Sequence, residues 1–302
     1  MTERALFDRL GALADFLERM PRQPITILSP HFESGELLIE PSDEMAAEHY
    51  QALCHELMPA ASVFLEPGGM MGGSVSNSAW TIMAEYGYEP DTSSISADHL
   101  SSSLRFIRFL IEKGQFEQSG IYLNQEVLSW LPTFLDRLKT FQYPLMARLS
   151  LAVEDLVEAV QRVSGGHANT LASAPTTFRT LHQTSFNIEE EGTSLAAIGE
   201  FLATHAESGL YILKSRLASE ARLHRLPTGF GSRARTIEGM LRSAAQYDGL
   251  DAVCDFFDAE ILAHRTTWEV WSSKGASHWA KAWTSKLAAT SAVVSRLRRV
   301  TA

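Results

Sequence analysis

Two acid–imidazole pairs stand at a spacing that puts both members on one helix face: Glu220 with His224, and Glu260 with His264. Residues four apart are neighbours on a helix surface, so each pair could form an ion pair or offer two ligands to a metal. Carboxylate-bridged di-iron bundles use Glu-x-x-His instead. Surface pairing is therefore the simpler reading, and a metal site or enzyme built in this C-terminal part is the alternative. Gly229-Phe230-Gly231-Ser232-Arg233-Ala234 fits G-x-G-x-x-A, but a dinucleotide fingerprint needs a strand before it and the flanks here read as helix. No G-x-x-x-x-G-K-[ST], H-E-x-x-H or G-x-S-x-G occurs. Cys54 and Cys254 lie far apart without metal-ligand spacing. Both sit in helix-like apolar surroundings and read as buried small hydrophobes of a reduced chain. No catalytic residue, metal or cofactor is expected, and the chain is read as a protein that is not an enzyme.

The elements that would position such residues are helical. Leu6, Leu10, Leu13 and Leu17 mark one apolar stripe, Leu100, Leu104, Ile107 and Ile111 a second, and Leu145, Leu149, Val153, Leu156 and Val160 a third. Leu128, Leu131, Leu135 and Leu138 mark a fourth, whose helix must start near Ser129–Trp130 so that Pro132 falls in its first turn. Between Ile25 and Ile39 the period changes to alternation around Glu33-Ser34-Gly35-Glu36, which reads as a weak hairpin or an extended loop. Small and polar residues with Gly and Pro occupy 164–177, as in a linker. Helical segments follow near 193–206, 209–224, 232–246, 249–264 and 276–299. The expectation is an all-α protein of two units, residues 1–163 and 178–302, joined by a linker at 164–177. A composition of 45% hydrophobic and 21% charged residues is ample for a core in each.

The net charge of -10 is unevenly spread. Residues 1–163 hold 11 basic and 23 acidic side chains, a balance of -12, whereas residues 164–302 hold 15 and 13. So acidic a first half repels phosphate and argues against a nucleic-acid partner. It suits a basic peptide, or solubility alone. Met1–Met20 is charged throughout, unlike a signal peptide, and no window approaches the ~20 apolar residues of a membrane span. A cytoplasmic location is expected by elimination. After Glu269 only basic charges occur: Lys274, Lys281, Lys286, Arg296, Arg298 and Arg299. Trp279, Trp283, Leu287 and Val294 share one helical face. That stretch reads first as a packed closing helix, then as a partner surface, and last as a membrane-surface helix.

One stretch goes beyond pattern. Val63-Phe64-Leu65-Glu66-Pro67-Gly68-Gly69, followed by Gly73-Ser74-Val75, resembles the L-F-x-G-P-G loop and E-S-V-Y-type segment of the TorD-like chaperones. Ala97-Asp98-His99-Leu100 through Leu104-Arg105-Phe106-Ile107 resembles their P-D-H-L-x-x-E-L-x-F-M, and Trp130-Leu131-Pro132-Thr133-Phe134 their later W-x-P-F-like segment. Order and spacing agree across 45–163, and the residues after the linker have no counterpart in a one-domain member. The resemblance implies an all-helical cytoplasmic chaperone. It would bind a signal peptide or other segment of a molybdenum-containing oxidoreductase precursor or subunit until the cofactor is inserted.

The implied peptide-binding residues are Asp98, His99, Leu100, Phe64, Pro67, Gly68, Trp80 and Phe106. Two readings of Asp98 stand side by side. In one, Ser96 caps a helix whose first turn contains Asp98, where a carboxylate is favoured; in the other, Asp98 accepts a guanidinium. His99 is expected neutral, reading a backbone or peptide group. Trp80, Phe64 and Phe106 would line an apolar groove, although a tryptophan there equally suits a core. The second unit would hold the same client, hold a delivery partner or form a homodimer.

Overall fold

A computed structural model of the protein describes residues 3–28, 35–93, 95–165, 186–190, 193–227 and 231–299. It is 71% helical with one two-stranded sheet, an all-α protein. Two units make up the chain: Met1–Glu66 with Met70–Thr180, and Pro67–Gly69 with Leu181–Ala302. Most of the expected linker, residues 166–177, lies outside the described residues.

In the first unit, helix α1 (Glu3–Glu18) buries all four leucines of its stripe. It packs on α5 (Leu100–Glu112) and α8 (Pro144–Val163). Charge as well as area fixes that packing. Arg9 of α1 pairs with Asp155 of α8, each side chain only 3% exposed. Arg105 of α5 reaches Asp15 at 2.8 Å and Glu18 at 2.6 Å.

Strands β1 (Ile25–Leu28) and β2 (Glu36–Ile39) pair antiparallel with Ile25 opposite Ile39, so the alternating stretch is a hairpin. Ile27, Leu37 and Ile39 face inward. The expected turn residues Glu33 and Ser34 lie outside the described residues. Ser42 caps α2 (Asp43–His49), which continues as a π-helical turn over Tyr50–Glu56. Then come α3 (Ala61–Leu65), α4 (Gly73–Glu85), α5, and α6 (Phe116–Tyr122), which runs on through a π-helical turn at Leu123–Val127. Helix α7 (Leu131–Lys139) carries Pro132 in its first turn, where the missing N–H costs nothing.

The second unit holds α9 (Leu195–Ala203), α10 (His205–Ser208), α11 (Lys214–Leu223), α12 (Arg233–Gln246), α13 (Leu250–Trp271) and α14 (Ser277–Arg299). A kink at Lys274 and Gly275 turns α13 into α14. The two run antiparallel, since the Cys254 thiol lies 3.8 Å from the Val294 carbonyl while Trp268 stacks on Trp283. Trp279, Trp283, Leu287 and Val294 are all buried. The basic tail is thus a closing helix with its tryptophans inside, and Arg298 is spent on Asp255 and Asp258.

Two expectations need correction here. The helix expected from 209 begins only at Lys214: Gly209, left-handed at φ 76°, stops α10, and Leu210–Leu213 cross the core, all four buried. The helix expected to end near 264 runs on to Trp271, because Trp268 and Trp271 extend its buried face.

Both α11 and α12 end in Schellman motifs whose left-handed residue is not glycine. Leu226 N–H bonds the Ala221 carbonyl across Arg225 (φ 55°), and Gly249 N–H bonds the Ala244 carbonyl across Asp248 (φ 55°). A side chain other than Asn or Asp is strained there, so Arg225→Gly should raise the free energy of unfolding measured in urea, by up to about 1 kcal/mol. The opposite sign holds for the buried ion pair. Asp155→Ala removes a carboxylate from the buried Arg9 guanidinium and should cost about 3–5 kcal/mol in urea denaturation, whereas replacing both partners by apolar residues should recover most of that loss.

Candidate functional site

The residues just before Val63 meet the segment that begins at Ala97 in space. Their backbones form a short antiparallel bridge between Ala60 and His99, in which Leu100 N–H donates to Pro59 at 2.7 Å and Ala61 N–H to Asp98 at 3.1 Å. The bridge joins the start of α3 to the start of α5. Helix α3 opens at Ala60, which has no side chain to cap it. The cap comes instead from Asp98, whose Oδ2 accepts Ser62 N–H at 2.7 Å. A carboxylate at the free N–H groups of a helix start is strongly favoured.

His99 is itself the cap of α5. Its Nδ1 accepts Ser101 N–H at 3.2 Å and lies 2.7 Å from Ser101 Oγ. That role requires an unprotonated Nδ1. Burial pushes the imidazole from its ordinary 6.5 down to about 4, against the pull of Asp98 and Glu18. His99 is therefore neutral, reading a backbone group of its own helix. The local cap expected from Ser96 is replaced: helix α5 starts one residue after His99, and Asp98 serves a different helix from the one that follows it.

The far end of α3 repeats the device. Glu66 Oε1 accepts Ser74 Oγ and Val75 N–H, both at 2.7 Å, and so caps α4, whose own cap position is Gly72. Gly72 N–H returns to Ser62 Oγ at 2.9 Å. Glycine suits position 73: its φ is 76°, and a Cβ would stand 2.6 Å from Glu66 Oε1, displacing the carboxylate that caps α4. The L-F-x-G-P-G-like stretch is thereby closed into a turn with Pro67 and Gly68 exposed.

The expected groove is not formed by the residues assigned to it. Phe64 is wholly buried, stacked on Trp130 at 5.2 Å and edge-on to Phe134. Phe106 is equally buried among Tyr86, Tyr88, Phe109 and Tyr122. Leu100 is core, and Asp98 at 2% exposure offers no surface carboxylate to a guanidinium. Trp80 behaves differently. It lies on the outer side of α4, 48% exposed, while Val75, Ala79 and Met83 pack inward. Met70 and Met71, 76% and 51% exposed, precede the same helix. Neither methionine was expected as a contact; their signal was an apolar pair set between glycine pairs, where no core helix passes.

In the second unit the acid–imidazole pairs resolve differently. His224 Nε2 lies 3.0 Å from Glu220 Oε1, a helix-face pair. His264 bonds backbone at both nitrogens. Its Nδ1–H donates to the Glu260 carbonyl at 2.8 Å, and its Nε2 accepts Tyr211 N–H at 3.0 Å. Both nitrogens pin backbone, including the buried crossing at Leu210–Leu213. Arg216 brings the two carboxylates together, donating to Glu220 at 3.2 Å and to Glu260 at 3.1 Å. Among the described residues no group of three or more His, Cys, Asp or Glu is placed to hold a metal ion. Nor is any helix among them long and apolar enough to cross a membrane. Cys254 is buried as expected, but Cys54 is exposed. Comparison with protein-family models, with curated proteins and with solved structures finds no match for this chain.

His99 makes stability depend on pH with a defined sign. Its folded pKa lies below its unfolded value, so the unfolded chain takes a proton that the folded one refuses. Its contribution is complete above about pH 6.5 and is lost as pH falls toward about 4. His49, buried and bonded to the Phe16 carbonyl, shifts the same way. Between neutral pH and about pH 5, His99 alone should cost about 2 kcal/mol. In His99→Asn, which retains a capping side chain, urea midpoints should fall correspondingly less over that interval.

Proposed function

We propose that this chain is a non-catalytic holding protein for a client polypeptide segment that is basic at one end and apolar at the other. The client is the precursor or a subunit of a molybdenum-containing oxidoreductase, held in the cytoplasm as a TorD-like chaperone holds its own. The observation that carries this reading is the apolar trio Met70, Met71 and Trp80, open to solvent on one helix and its approach. Methionine adapts to irregular partners at little cost, and tryptophan is among the residues enriched as anchors of binding surfaces. The acidic balance of -12 over residues 1–163 draws in the basic end of a client and speeds encounter.

In this reading the family-like residues divide by role. Trp80, with Met70 and Met71, supplies contact area. Asp98, His99, Leu100, Phe64 and Phe106 are positioning residues, which hold α3, α4 and α5 so that the contact residues stand outward. Binding is reversible and involves no bond making. In the second unit, Arg216 holds the Glu220 and Glu260 carboxylates and His264 bonds backbone groups at both nitrogens, which supports structural roles for these side chains.

The test is a titration of the intact protein with a labelled peptide carrying two arginines and then an apolar stretch, read by anisotropy. Saturable binding is expected, weakened by added salt and by about tenfold or more in Trp80→Ala. Absence of saturable binding, or binding unchanged in both Trp80→Ala and a Met70→Ser/Met71→Ser variant, overturns the reading.

A further inference from the structure

The Schellman ends of α11 and α12 converge on a cleft of about 520 Å³ at the start of α13. A space of that size takes a small organic ligand. Its polar wall is His224 and Arg225 from the end of α11, Ser243 and Tyr247 from the end of α12, and Gly249 at the cap position of α13. The rest of the wall is apolar, and no aspartate or glutamate stands among its lining residues. Asp248 and Asp251 flank the cleft and are exposed to solvent.

The side chains of this wall are open to a ligand. Arg225 is exposed and makes no side-chain hydrogen bond or ion pair among the described residues, whereas Arg216 of α11 is spent on two carboxylates. Arg225 also sits at φ 55°, where glycine would be unstrained, and strain of that kind gathers at functional positions. The Ser243 hydroxyl has no partner among the described residues either. His224 engages Glu220 through Nε2 alone. Tyr247, 72% exposed, offers an open ring to the same cleft.

We propose that the cleft binds a small aromatic phosphomonoester, its phosphate against Arg225, His224 and Ser243 and its ring on Tyr247. A guanidinium meets a phosphate with two parallel hydrogen bonds. Phosphate is preferred to carboxylate because three kinds of donor line the wall and a phosphate presents three oxygens to them. The absence of a side-chain cap on α13 leaves N–H groups at its start, which add to that preference. Stacking on Tyr247 selects a ring over an aliphatic body. This inference stands apart from the client reading, since it uses the second unit alone and needs no peptide.

The test is calorimetric titration of the full-length chain in phosphate-free buffer, with phenyl phosphate as the probe. Saturable one-site binding is expected, with inorganic phosphate and benzoate each weaker by about tenfold or more. Arg225→Gly should lower the affinity for phenyl phosphate about tenfold or more while raising the free energy of unfolding, so that lost binding is not lost folding. Tyr247→Ala should weaken phenyl phosphate and leave inorganic phosphate unchanged. No saturable binding up to about 1 mM, affinity unchanged in Arg225→Gly, or benzoate bound as tightly as phenyl phosphate overturns the proposal.

Discussion

The bond from Ser62 N–H to the Asp98 carboxylate is the contact on which the rest of the first unit's candidate surface depends. Helix α3 has five residues, far below the length at which a helix is stable alone, and its own cap position is an alanine. It exists because Asp98, 36 residues beyond Ser62, receives its first two N–H groups, Ala61 on the carbonyl and Ser62 on the carboxylate. Once formed, α3 places Ser62 and Glu66 to receive Gly72 N–H and Val75 N–H. Those bonds fix where α4 begins and hence where Trp80 points. The order of dependence runs from Asp98 to α3, from α3 to Glu66, and from Glu66 to α4. Each step is a helix start capped from outside its own sequence.

Burying charge to achieve this brings constraints elsewhere. His99 adjoins Asp98 and must stay neutral to cap α5, which its burial ensures. Helix α1 is locked to α8 by a fully buried ion pair and to α5 by Arg105, so the ends of the capped helices rest on a rigid frame. The second unit uses the same economy with neutral imidazole. His264 spends both nitrogens on backbone and so lets Leu210–Leu213 cross the core without orphaning Tyr211 N–H.

Periodicity made much of this fold legible. The stripes of α1, α5 and α8 are apolar every third or fourth residue because one face is buried, and Pro132 marks a helix start because only the first turn tolerates it. The hairpin was visible in the alternation of Ile25, Ile27, Leu37 and Ile39. What stayed hidden has a common cause. Capping rules look three residues ahead, so they send Asp98 to its own helix and cannot see Ser62. A run such as Leu210–Leu213 is apolar at every position, and periodicity cannot tell an extended crossing from a helical turn. Phe64 and Phe106 read alike as core or groove, because burial against the same chain and burial against a partner select the same side chains.

That ambiguity bears on how a binding surface can be built in a small acidic unit. A client contact made of Phe64 or Phe106 would compete with the core, since each already fills space between helices, and exposing them would open the aromatic clusters around Trp130 and Tyr122. A contact made of Met70, Met71 and Trp80 carries no such conflict. These side chains stand on the outer side of a helix whose inner side is independently filled, and on a turn held by hydrogen bonds rather than by apolar packing. The unit can thus keep a rigid interior and still present an adaptable apolar edge, with polar caps as the link between the two.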